Sequence, residues 1–89
     1  MSPELEALDQ LLGGDMPLSL VTSLFPDEAH ARRAIVAMLA AGELRLLDPE
    51  GAALSLWQVS ELARQPGSWR TETQHCLTLT DVGARRVGY

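Results

Sequence analysis

The sequence contains no lysine: its basic side chains are seven arginines, set against twelve acids for a formal net charge of −5. Grip on phosphate depends on cationic side chains displacing counterions, so this balance argues against nonspecific binding to nucleic acid or to an anionic membrane surface. It leaves room for a local basic patch. There is one cysteine, Cys76, which can form no internal disulfide and fits a reducing compartment. No apolar run approaches the roughly 20 residues that a membrane span needs. The N-terminal MSPELEALDQ is acidic where a signal peptide is basic, which points to the cytoplasm. Aromatics number four: Phe25, Trp57, Trp69 and Tyr89.

Catalytic chemistry is equally scarce. His75 and Cys76 are neighbours on a strand-like stretch, so they face opposite ways and cannot act on each other. His30 is the other imidazole, and no Cys or His cluster has zinc spacing. Glu4, Glu6 and Asp9 read as a solvated helix face. Gly13-Gly14 is a helix stop with no phosphate motif after it. No catalytic residue, metal or cofactor is expected.

What is present is a small globular domain. At 89 residues, 46% apolar and 21% charged, the chain holds one modest core and resembles no disordered tail. Ser2-Pro3-Glu4 starts a helix, with Ser as cap and Pro at the first helical position. Leu5, Leu8, Leu11 and Leu12 give it an apolar stripe, and Gly13-Gly14 ends it. Residues 17–25 fit a second short helix, although their β-branched and serine positions also allow a strand; Pro26 closes them.

Residues 27–47 organise the rest. Asp27 caps a helix whose inner face, at about 100° per residue, is Ala31, Ala34, Ile35, Met38 and Leu39. Gly42 terminates it, and Glu43–Leu47 follows as a strand. Asp48-Pro49-Glu50-Gly51 is a type I turn. Trp57–Arg64 has helical spacing through Leu56, Val59, Leu62 and Ala63; Gln65–Ser68 breaks it, and Trp69 begins a polar loop running to Gln74. Residues 75–80 alternate as a strand. Thr80 or Asp81 then caps a short helix with Val82 and Val87 as its apolar contacts, and Arg85-Arg86 falls at its C-terminal end, where the dipole favours cations.

Two stretches of this chain resemble the winged helix-turn-helix superfamily, which includes many small bacterial transcription regulators. Residues 34–44, AIVAMLAAGEL, look like a recognition helix passing into a wing strand, and residues 77–83, LTLTDVG, look like the returning wing strand and the L-T-x-x-G lead into the next helix. The resemblance implies an α+β fold over residues 1–89 as a single domain: three N-terminal helices, a two- or three-stranded antiparallel wing and a short C-terminal helix. The departure is a long helical wing insert, about residues 49–74, where the family has a short loop.

In the family the recognition helix reads the major groove. Carried over, that face would be Ala29, Arg33, Val36, Ala37 and Ala40, flanked by His30 and Arg32. Arg32 and Arg33 are suitable phosphate or guanine ligands, and His30 a lesser one. Alanine and valine offer little beyond a thymine-methyl contact. The same small apolar face suits a close protein contact, and Trp69 is the candidate interface aromatic, with Trp57 assigned chiefly to structure. The expectation is therefore a non-catalytic protein-interaction or self-association module with a protein partner or homodimer. The rival is a dimeric DNA-binding regulator using the helix at 27–41, disfavoured by the net charge of −5.

Overall fold

A computed structural model describes residues 2–89. Among them are five α-helices, one 3-10 turn and a three-stranded antiparallel sheet. Helix α1 (Pro3–Leu11) begins where the Ser2 hydroxyl accepts from the Leu5 N–H and buries Ala7, Leu8 and Leu11. Strand β1 (Met16–Pro17) follows, then α2 (Leu18–Thr22). The stretch read as one short helix over 17–25 is thus divided. Pro17 has no N–H to give a ladder, which suits it to an edge strand, and its fixed φ sets up the helix that starts at Leu18.

Helix α3 (Glu28–Ala40) carries the core face expected of it: Ala31, Ile35, Met38 and Leu39 are buried and Ala34 is half-buried. The Asp27 carboxylate accepts from the His30 N–H at 2.7 Å. At the other end Gly42 takes φ +76°, the Glu43 N–H donates to the Met38 carbonyl and the Gly42 N–H to the Leu39 carbonyl. This paired closure satisfies carbonyls that a helix end otherwise orphans, and it aims the chain straight into β2 (Leu44–Leu47).

Strand β3 (Cys76–Leu79) lies between β1 and β2, pairing Leu77 with both Met16 and Leu46 and Leu79 with Leu44. Helix α5 (Asp81–Arg86) then folds back on the α3–β2 junction. Thr80 caps it and gives its own hydroxyl proton to the Gly42 carbonyl, while the Thr80 N–H reaches the Glu43 carbonyl. Gly83 is buried so tightly here that a Cβ would collide with the Glu43 carbonyl oxygen and come within 2.7 Å of the Leu79 side chain. That approach leaves α5 one inward face. Val87 packs on the core, but Val82, expected to do the same, is exposed.

The segment between β2 and β3 is anchored at both ends. Asp48–Gly51 makes the expected turn, and the chain returns beside β2, with Ala53 bridging Leu47 and the Leu54 N–H on the Leu46 carbonyl. Helix α4 (Leu56–Arg64) opens with a reciprocal cap between Ser55 and Gln58 and buries Val59. A 3-10 turn (Trp69–Thr71) then leads back to β3. One hydrophobic cluster includes residues from α1, α2, α3, β2, α4, the 3-10 turn and β3. No helix among the described residues is long and apolar enough to cross a membrane.

Candidate functional site

The outward face of α3 becomes one wall of a groove against α4. Arg32, Arg33, Val36, Ala37 and Ala40 line it from α3 and Ala63 from α4; it is a shallow, open depression of about 460 Å³ with largely apolar walls. Five of the seven residues expected to share a recognition face are therefore brought together. Ala29 is exposed outside the groove. His30 turns toward α1, where its Nε2 lies 3.2 Å from Glu4 Oε1 and its ring meets Phe25 edge-on at 5.3 Å. It lines, with Glu4 and Arg33, a second groove between α1, α3 and α5.

Arg32 is not available to a phosphate or a guanine. Its Nε and Nη2 donate to Glu28 Oε2 at 3.1 and 2.9 Å, its Nη1 donates to the Ala63 carbonyl at 2.6 Å, and Nη2 also reaches the Gly67 carbonyl. The guanidinium rests 4.9 Å from the centre of the Trp69 ring. The guanidinium is thus held between Glu28 on its own helix and the carbonyls of Ala63 and Gly67, half-buried on the wall of the groove. Arg33 is exposed and, among the described residues, in no ion pair.

The tryptophan assignments exchange places. Trp69 retains 3% of its surface and belongs to the core, so it is no interface anchor as the sequence reading had it; Trp57 is 71% exposed on α4. The cause is the clasp at the end of the insert. Glu28 Oε1 accepts from the Ser68 hydroxyl at 2.6 Å and from the Trp69 N–H at 3.0 Å, drawing residues 68–69 down onto α3. The hydrogen bond from Ser68 holds the Glu28 carboxyl below its ordinary value; burial opposes this, and Arg32 and the Arg70 N–H add to it. The Glu28–Arg32 pair was legible at i, i+4. Its reach to Ser68, forty residues on, was not.

The two oxygens of Glu43, a buried carboxylate, each lie 2.8 Å from Arg86 Nη1. Arg85 stays exposed without an ion pair among the described residues. His75 and Cys76 are half-buried at the start of β3, and His75 Nδ1 lies 3.4 Å from Glu72 Oε1, within ion-pair reach but off the line of a hydrogen bond. Among the described residues no three His, Cys, Asp or Glu side chains gather as a metal ion would require. No protein-family model matches the chain, and neither a curated protein nor a solved structure matches it.

Proposed function

We propose that the chain is a winged helix-turn-helix domain that works in the cytoplasm as a protein-interaction or self-association module without catalysis. The fold reading rests on α3 passing through Gly42 into β2, on β3 returning beside it, and on Thr80 and Gly83 seating α5 against that junction. The functional reading is carried by one observation. Leu56 and Trp57, consecutive at the start of the insert helix, are 54% and 71% exposed. Large apolar side chains left this exposed are what an interface buries, and tryptophan anchors such contacts more often than most residues. The apolar α3–α4 groove adds to the same surface class.

DNA reading by α3 is the lesser alternative, because the Arg32 guanidinium is engaged by Glu28, Ala63 and Gly67 and Arg33 stands alone among alanines and a valine. A photo-crosslinking side chain at position 57, in the protein's native cells, distinguishes the two. Crosslinks to protein, a second copy included, are expected. Crosslinks to nucleic acid, or a yield no higher than from the same probe at exposed Gln10, overturn the reading. A titration with mixed duplex DNA at low salt is expected to show no binding that Arg33→Ala removes.

A further inference from the structure

We infer that the groove between β2, the start of α4 and the start of α5 is the seat for an acidic segment of another protein, one that carries apolar side chains beside its carboxylates. The inference rests on the interaction-module reading and names the partner's chemistry. The groove is open to solvent and offers about 470 Å³. Buried Leu39, Leu44 and Val59 form its floor. Leu56 stands at its edge from α4 and Val82, 46% exposed, from α5. Neither is needed to close the core, and both are apolar.

Charge decides what such a groove accepts. Arg45 and Arg85 line it, both are exposed, and among the described residues neither has an ion-pair partner. Asp81 is the one acid in the lining, so the groove is locally positive on a chain whose formal net charge is −5. Val82 and Arg85 are three apart on α5 and share a face, which sets a cation directly beside an apolar contact. A partner with alternating carboxylates and leucine-like side chains satisfies both. A nucleic-acid backbone fits less well: it would leave Leu56 and Val82 uncovered and meet the Asp81 carboxylate.

A display library of random dodecapeptides, panned on the full chain, tests this. Enrichment of sequences that combine Asp or Glu with Leu, Ile or Phe is expected. Their affinity should fall about fivefold with Arg45→Ser/Arg85→Ser, the loss of two exposed ion pairs, and should weaken with added salt. Leu56→Ser should also weaken them, and melting curves that match the unaltered chain would confirm that these exposed substitutions leave the fold intact. Peptides that require Trp57 but ignore both arginines refute the groove and leave the interaction module standing. Enrichment of basic peptides, no enrichment, or arginine-dependent binding of mixed duplex DNA in place of peptide overturns the inference.

Discussion

Replacing Glu28 with glutamine tests the attachment of the insert. One carboxylate oxygen collects the Ser68 hydroxyl and the Trp69 N–H, and the other collects two guanidinium donors of Arg32. An amide can serve only one side. With its oxygen toward Trp69 its NH2 group confronts Arg32, donor against donor; turned round, it abandons a backbone N–H beside a side chain that is 3% exposed. Losing half of a charge-assisted clasp costs about 2 kcal/mol. For a domain of this size that lowers Tm by roughly 8–16 °C. The carboxyl is held below its ordinary value of 4.5, chiefly by Ser68, so its contribution is complete above that value and is lost as pH falls through the lowered folded one. Wild type and Glu28→Gln should therefore differ fully at neutral pH and converge in acid. Urea melts followed by circular dichroism at a series of pH values measure this, and trypsin should cut after Arg70 faster in the variant. A difference below about 0.5 kcal/mol, typical of an indifferent surface change, or one that does not shrink in acid, would refute the clasp.

Three other outcomes are expected. Gly83→Ala should destabilise by about 2 kcal/mol or more, since the added Cβ strikes backbone that cannot yield; a chemical melt within about 0.5 kcal/mol of wild type would contradict that packing. Thr22→Val should stabilise by about 1 kcal/mol, because the Thr22 hydroxyl is buried without a hydrogen-bond partner, and the same melts read it. Trp57→Ser should leave stability within about 0.5 kcal/mol, whereas Trp69→Ala should cost about 3–5 kcal/mol; equal losses at the two tryptophans would invalidate the assignment of one to the core and one to the surface.

Local chemistry explains which features could be read in advance. Ser2 and Asp27 announce helix starts because a cap acts on an N–H three residues away, and of Thr80 and Asp81, both open in the sequence, Thr80 does the same for α5. The buried face of α3 and the Gly42 stop are equally local, set by helical period and by one positive φ. Strand β1 was hidden because two residues offer no period to detect, and it exists through its pairing with Leu77 and Cys76. The positions of the tryptophans and of Arg32 were hidden for a related reason. The places of Trp69 and Arg32 follow from where residues 63–69 come to rest on α3, a separation of more than thirty residues that no window of sequence spans. Of the candidate site, the alanine and valine face stays together with Arg33, Arg32 is tied down half-buried at its edge, and Trp69 passes to the core.

The Schellman-type closure at Gly42 and the Glu28 clasp act at opposite ends of α3, and the two differ in the order in which they can form. The first joins residues five apart and needs only the helix itself. The second must close a forty-residue loop, and each doubling of loop length adds about 0.6 kcal/mol of entropy. On loop-closure entropy alone, the helix-to-strand corner is expected to form early and the docked segment at 63–69 late. An interaction made late lies beyond the folding barrier and acts mainly on the rate of unfolding. Loss of the clasp is accordingly expected to shorten the time for which the exposed Leu56 and Trp57 surface stays assembled, and loss of the glycine corner to slow the start of folding; stopped-flow rates of Glu28→Gln and Gly42→Ala read the two apart.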